Sequence, residues 1–306
     1  MPSFEVTKRG RIPSITWPEP IGPSGSKRVL VQFCEHFDSA RADVEMIESH
    51  MAQAKEEGAP IVKMGDTFDA CGGRYDPRRS PEGVRREFVG PDYLDRLVNI
   101  YGEFAAPYAE NIAVMGRGNH ELSVMKHCDT DLISRTAEQL RQNGSKVITV
   151  GNQTFANFTL WITKTTRVAI IVYFTHESGT IGAAKGVVGA VRRGAVFPDA
   201  AVVVSGGGHS EWQTTVSRDR LNEKTGRVYT DEQIHFGIAS YRRDWSPEGP
   251  RPSWHCQDGK LPRPIGAAWL ELSIQKSWDE RLKHDDLKRG RRLPMWRIAA
   301  NVTRAK

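Results

Sequence analysis

Residues 28–69 read RVLVQFCEHFDSARADVEMIESHMAQAKEEGAPIVKMGDTFD, and this stretch decides the architecture. RVLVQF (28–33) is a near-continuous apolar run, as expected of a strand buried on both faces. Residues 40–57 follow with helical spacing, since Val44, Ile47 and Met51 can share one face. Gly58 closes the helix, and APIVKM (59–64) is a second buried strand. Strand, helix and strand in this order predict a layered α/β fold with parallel pairing.

Outward from this unit the pattern extends in both directions. Residues 1–27, ending in RIPSITWPEPIGPSGSK (11–27), are rich in Pro, Gly and Ser and read as an irregular lead-in. Residues 72–90 form a Gly/Pro/Arg-rich loop, followed by a helix over 92–110 and a short strand, IAVM (112–115). From 145 onward KVITV, FANFTLWIT and RVAIIVYF are closely spaced β segments, with a hairpin around Lys164–Thr166. Residues 182–194 read as a helix, AVVV (201–204) as a buried strand, and 216–244 and 264–275 as further β structure. No repeat or linker divides the chain. The expectation is one domain over 28–277, preceded by the lead-in 1–27 and followed by a basic tail, 278–306.

Composition narrows the class. The chain has 306 residues, 39% hydrophobic and 26% charged, enough for a sizeable core. The longest clearly apolar run, Val168–Phe174, is far short of the roughly 18 residues that suggest a membrane span. The N-terminal residues lack the apolar core of a secretory signal. Four cysteines without CxxC spacing are too sparse for a disulfide framework and fit a reducing, cytoplasmic setting. The net charge of +6 permits a polyanionic partner.

The residues with chemical potential lie at strand ends. RVLVQF leads into Cys34-Glu35-His36, APIVKM into Gly65-Asp66-Thr67-Phe68-Asp69, and IAVM into Gly116-Arg117-Gly118-Asn119-His120-Glu121. The strand 168–174 leads to Thr175-His176, and 201–204 to Ser205-Gly206-Gly207-Gly208-His209. Taken singly, each is a turn, a buried histidine or a small buried cysteine. Five such ends in series are another matter, because sites in open α/β sheets lie beyond the carboxyl ends of the strands.

This ordered series resembles the calcineurin-like metallophosphoesterases, whose pattern is DxH, GDxxD, GNH(D/E), a His after a strand, and GHxH. GDxxD is intact as Gly65–Asp69, GNHE is intact as Gly118–Glu121, and His176 fits the fourth position. The resemblance spans about residues 28–210. Within the family the spacing is most similar to double-strand-break repair nucleases and phage-encoded phosphoesterases. It implies an α/β fold, a four-layer sandwich of two mixed β-sheets flanked by helices. It also implies two divalent transition-metal ions, Mn, Zn or Fe. Asp66 would bridge them, with Cys34, His36, Asp66 and His209 on one metal and Asp66, Asn119 and His176 on the other. The metals would supply hydroxide for in-line attack on phosphorus, and His120 would stabilise the phosphoryl charge or protonate the leaving oxygen.

Two departures alter that picture. Cys34 stands at the family's first Asp; a thiolate suits Zn²⁺ or Fe²⁺ and poorly suits Mn²⁺ or Mg²⁺, so either metal preference shifts or one metal is weak or absent. Asp38 is a candidate replacement carboxylate. GHxH is absent as such: the ungapped alignment sets Gly207 and His209 at its two histidines, and a two-residue slip sets His209 and Glu211 there. Arg74, Arg78, Arg79, Arg85 and Arg86 follow GDxxD, and with the basic tail they could hold a phosphate backbone; Arg78 and Arg79 are the candidate substrate contacts. Cys71, Cys128, Cys256, His50, His127, His235, His255 and His284 lie outside the series and take a structural reading. The leading expectation is metal-dependent hydrolysis of a phosphodiester, with DNA as a candidate. The alternatives are a degenerate member that binds nucleic acid or a protein partner without turnover, and a phosphomonoesterase or nucleotide phosphatase. No membrane partner is expected, and the oligomeric state is left open.

Overall fold

The computed structural model of the chain describes residues 2–72, 83–176, 188–189, 196–222, 226–245, 256, 259, 262–278 and 294–305. In chain order the first strands are β1 (Glu5–Arg9), β2 (Ile12–Trp17) and β3 (Ser26–Gln32), followed by helix α1 (Val44–Glu56) and β4 (Ile61–Met64). Next come α2 (Tyr93–Ala105), β5 (Ile112–Gly116), α3 (Asn119–Cys128), α4 (Leu132–Gln142) and β6 (Ile148–Val150). The later chain supplies β7 (Gln153–Trp161), β8 (Arg167–His176), β9 (Val202–Gly206), β10 (Trp212–Asn222), β11 (Arg227–Gly237), β12 (Ala268–Trp278) and β13 (Pro294–Arg304).

These strands form two mixed sheets. One has six strands in the order β13-β12-β3-β4-β5-β6, and the other has seven in the order β1-β2-β7-β8-β9-β11-β10. The strands β3, β4, β5 and β6 run parallel, as the opening strand–helix–strand unit requires. Alternation along β3 divides the core: Val29 and Val31 face the second sheet with Phe158, Val172 and Val202, while Leu30 faces the helices with Ile47, Leu97 and Leu140. The molecule is therefore an α/β sandwich of two mixed β-sheets flanked by helices, the architecture expected of a metallophosphoesterase-like chain.

Local chemistry explains the helix starts. Asp43 accepts the N–H of Met46 at 3.2 Å ahead of α1, and Asp131 accepts that of Ser134 at 3.1 Å ahead of α4. Between the sheets and α2 runs a buried polar chain. Lys63 on β4 pairs with Glu35 and donates to Gln32 Oε1 at 2.7 Å; Gln32 donates to the Tyr241 hydroxyl at 2.8 Å, and Tyr101 donates to Glu35 at 2.7 Å.

Several expectations need correction. Residues 1–27 are not an irregular lead-in: β2 pairs in parallel with β7 and buries Ile15 and Trp17, and β1 extends the sheet beyond it. Pro13 and Pro18 conceal this in the sequence, although a proline is tolerated near a sheet edge. The domain does not end at 277 either, because β13 lies within the expected tail and pairs along its full length with β12, burying Val302. Arg297 and Arg304 are thus strand residues, while 279–293 lie outside the described residues. The helix expected over 182–194 also falls outside them, apart from 188–189. No helix among the described residues is long and apolar enough to cross a membrane.

Candidate metal centre

The five strand ends identified in the sequence meet at one place. Cys34 and His36 follow β3, Asp66 and Asp69 follow β4, and His120 lies in the first turn of α3 after β5. His176 ends β8, and His209 lies three residues past β9. Cys34, His36, Asp66, Asp69 and His176 are buried, and His120 and His209 are partly so.

The backbone there is unusual. Cys34, His36, Asp66 and His209 all adopt left-handed φ values of 47–51°, as does Ala70 at 52°. Such conformations are uncommon in non-glycine residues, cost about 1–3 kcal/mol each, and collect at functional sites. Neighbouring hydrogen bonds hold them. Glu121 Oε2 accepts the N–H of Asp66 at 3.0 Å and of Gly118 at 2.7 Å, and Oε1 accepts that of Phe68 at 3.0 Å. Close approach demands glycine on both sides of Asp66. A Cβ on Gly118 would stand 2.1 Å from Asp66 Oδ1, and one on Gly65 would stand 2.5 Å from the His176 ring.

The donor atoms converge. Among the described residues, Cys34/His36/His209, Cys34/Asp66/His176, His36/Asp66/His120 and Asp69/Cys71/His120 each bring three potential ligand atoms within 4.8 Å of one another. Cys34 Sγ lies 3.4 Å from His176 Nε2, which lies 3.2 Å from Asp66 Oδ2. The Nε2 atoms of His36 and His209 are 3.2 Å apart, while each Nδ1 faces a carboxylate: His36 on Asp69 at 2.9 Å and His209 on Asp244 at 3.0 Å.

This last arrangement tests whether a cation fits. With His209 Nδ1–H donating to Asp244, and the Asp69 charge beside His36 Nδ1 favouring a proton there, both Nε2 atoms of the neutral rings carry lone pairs aimed at the same space. A proton or a metal ion reconciles them. The donor set of one thiolate, several imidazoles and a carboxylate is one that divalent transition metals accept. The residues present therefore fit a metal.

Electrostatics agree. Burial alone raises the Cys34 thiol, but the imidazoles of His176 and His209 outweigh it and hold its pKa well below the usual thiol value. Burial opposes the His36 imidazolium, but the hydrogen bonds of Asp69 and Cys34 prevail and raise its pKa to about 10. Burial likewise raises Asp66, yet His120, His176 and His36 hold it well below the ordinary carboxylate range. Glu121, buried and beside the Asp66 charge, is pushed up to about 7.

His120 occupies a different position from the others. Its Nδ1 contacts the Asp69 backbone carbonyl, and its Nε2 lies 3.9 Å from Asp66 Oδ2. Its backbone N–H donates to Asp66 Oδ1 at 3.0 Å. Asn119 opens α3 between Gly118 and His120, both of which pack on Asp66, and is partly buried.

Other candidates separate from the cluster. Asp38 accepts the N–H groups of Asp69 at 2.6 Å and Ala70 at 3.1 Å and the Tyr93 hydroxyl, so it braces the turn and does not replace the missing carboxylate. Glu211 pairs with Arg304. Arg74, Arg78 and Arg79 lie outside the described residues. Arg85 is structural: its guanidinium stacks over Phe37 and Phe88 and donates to the Phe37 carbonyl at 2.7 Å.

Sequence reasoning passed over Asp244 and Arg242, which sit in a stretch read only as β structure, and gave Glu121 and Asp69 no work. The intact GDxxD and GNHE motifs were a signal for the latter pair. Nothing in the local sequence marked Arg242 or Asp244, because the groups they face at the centre, Asp69 and His209, lie 173 and 35 residues away.

No protein family and no curated protein matches this sequence. Among solved structures, the chain is similar to GAP50, the anchor in the inner membrane complex of Plasmodium, with TM-score 0.40 and 11% identity over 82% of this chain and 84% of that one. It is also similar to a provisional 5'-nucleotidase from Staphylococcus aureus, with TM-score 0.39 and 9% identity over 92% of this chain and 54% of that one. Likeness at this level bears on neither activity nor ligand.

Proposed function

We propose that the chain is a metal-dependent phosphoesterase acting on a phosphodiester, with DNA as the candidate polymer. The observation that supports this most is the meeting of Cys34, His36, Asp66, His120, His176 and His209 at the carboxyl ends of strands from both sheets. Cys34, His36 and His209 would hold one cation, and Asp66 and His176, with Asn119 adjoining, the other. Bound there, divalent transition metals supply Lewis acidity toward a phosphoryl oxygen and toward attacking water.

The chain's own residues do the rest. Asp66 offers one oxygen toward His176 while the other is fixed by the His120 N–H, so its orientation is set before any ligand arrives. His120 has Nδ1 against the Asp69 carbonyl, which assigns the proton to Nδ1 in the neutral ring and makes Nε2 its basic nitrogen. Protonated, Nε2–H can donate to a phosphoryl oxygen or to the departing alkoxide. Because His36 carries a proton without metal, cation binding would displace it, so affinity falls as pH falls.

The test combines metal analysis with two chromogenic substrates, bis-(p-nitrophenyl) phosphate and p-nitrophenyl phosphate, and with linear and circular DNA. Protein loaded with Zn²⁺, Fe²⁺ or Mn²⁺ should cleave the diester in preference to the monoester, and Asp66→Asn should abolish both cleavage and metal retention. Bound metal without turnover on any substrate would support instead a non-catalytic binding protein, a reading favoured by Cys34 and Gly207 at ligand positions. Near-normal activity in Asp66→Asn with unchanged metal would refute the site.

A further inference from the structure

Beyond β11 the chain runs through Ser240-Tyr241-Arg242-Arg243-Asp244, ahead of β12 of the other sheet. This short segment is fastened directly beneath the candidate metal centre. Ser240 Oγ and the Tyr241 N–H both donate to the Cys34 carbonyl, at 2.9 and 3.1 Å. One residue later, Arg242 Nη1 reaches Asp69 Oδ1 and Nε reaches Asp244 Oδ1, each at 2.9 Å.

Those two carboxylates are the ones that face His36 Nδ1 and His209 Nδ1. A single planar guanidinium thus joins two carboxylates: Asp244, hydrogen-bonded to His209 Nδ1, and Asp69, whose charge lies 2.9 Å from His36 Nδ1 without an aligned hydrogen bond. A rigid fork suits this work, whereas a lysine offers one point charge. Carboxylates behind metal-ligating histidines fix ring orientation and tautomer. We infer that Arg242 and Asp244 are positioning residues: together with Asp69 they form a clamp that turns the Nε2 lone pairs of His36 and His209 toward one cation. This rests on the proposed metal centre and adds to it residues that no motif supplied.

The geometry makes a specific demand on Asp244. Oδ1 faces Arg242 and Oδ2 faces His209. The contact between Oδ1 and Arg242 Nε is an ion pair rather than an aligned hydrogen bond, and in Asp244→Asn an NH₂ group there would set its positive hydrogens against the guanidinium. It must therefore face His209 Nδ1, which then accepts, and the ring proton moves to Nε2, where a metal would bind. Removing the arginine lifts that constraint. In Arg242→Ala/Asp244→Asn the amide can rotate and offer its oxygen to His209 again.

The experiment is competition for Zn²⁺ between a chromophoric chelator and wild type, Asp244→Asn, Arg242→Ala, Arg242→Lys and the double variant. Asp244→Asn should lose about 10–100-fold in one of two Zn²⁺ affinities, the scale for such partners, with the other unchanged. The double variant should bind more tightly than the sum of the single losses allows. Arg242→Lys should lose affinity in the same site. Circular dichroism and melting of the metal-free proteins separate this from misfolding, and the lysine variant carries the test if Asp244→Asn does not fold. Wild-type affinities in Asp244→Asn and Arg242→Lys, or losses that simply add, would overturn the clamp and leave the proposed function standing. Absence of Zn²⁺ binding by wild type would overturn both.

Discussion

Cys34 belongs to both the Cys34/His36/His209 and the Cys34/Asp66/His176 groups, so its sulfur lies between the two clusters of imidazoles. A thiolate there favours Zn²⁺ and Fe²⁺ over Mn²⁺. Cys34→Asp, which restores an oxygen donor, should raise activity with Mn²⁺ relative to Zn²⁺, and Cys34→Ser should weaken Zn²⁺ retention. Metal titration of the three proteins checks this; identical profiles would mean that Cys34 only packs. His120 stands beside Asp66, its Nε2 3.9 Å from Oδ2, and takes the role of a donor to substrate rather than of a ligand in the proposed function. Its replacement by Ala should lower kcat by about 10²–10⁴-fold while metal content holds. Equal loss of metal and turnover would make it a ligand. At this scale the sequence was informative where a motif was contiguous, as in Gly65–Asp69 and Gly118–Glu121. It was silent on Asp244, whose meaning depends on His209 in space.

Elements carry these residues to one place through backbone conformations that side chains must enforce. Glu121, in the first turn of α3, does most of this for the β4 and β5 loops with its three backbone N–H bonds. Glu121→Gln puts an NH₂ group against at least one of those donors. Burying an unmatched donor costs about 1–3 kcal/mol, so the variant should unfold at correspondingly lower urea concentration and retain metal less well. An unchanged midpoint would remove Glu121 from that role. The same scale shows why some elements were legible. The parallel strands β3, β4 and β5 are buried on both faces and announce themselves as apolar runs. By contrast β1, with the sequence EVTKR, is an edge strand paired on one side only, so its side chains had no need to be apolar. Likewise β13 was hidden by its arginines, which lie on a sheet edge.

At the scale of the whole molecule, the candidate centre exists because two sheets and a helical layer are held in fixed relation, and one contact joins all three. His50, buried on α1, hydrogen-bonds through Nδ1 to the Tyr241 hydroxyl at 2.8 Å, and Tyr241 binds both Gln32 of β3 and the carbonyl of Cys34. Burial lowers the pKa of His50 from 6.5 to about 4, with the Asp43 charge opposing only in part. The unfolded chain therefore binds a proton at this residue between about pH 6.5 and 4 that the folded chain does not. Its contribution is present above pH 6.5 and is lost as pH falls through that window, by at most about 3.4 kcal/mol at 1.36 kcal/mol per unit. His50→Gln keeps a partner for Tyr241 without the titration. Urea unfolding of both metal-free proteins at intervals from pH 7 to 4 isolates the effect, because the imidazoles and carboxylates of the centre titrate alike in each and cancel in the difference. Wild type should lose more stability than His50→Gln on acidification, with the gap opening below pH 6.5 and levelling near 4. Parallel profiles would mean that His50 takes up its proton in the folded state and that the joint between helix and sheets tolerates the charge.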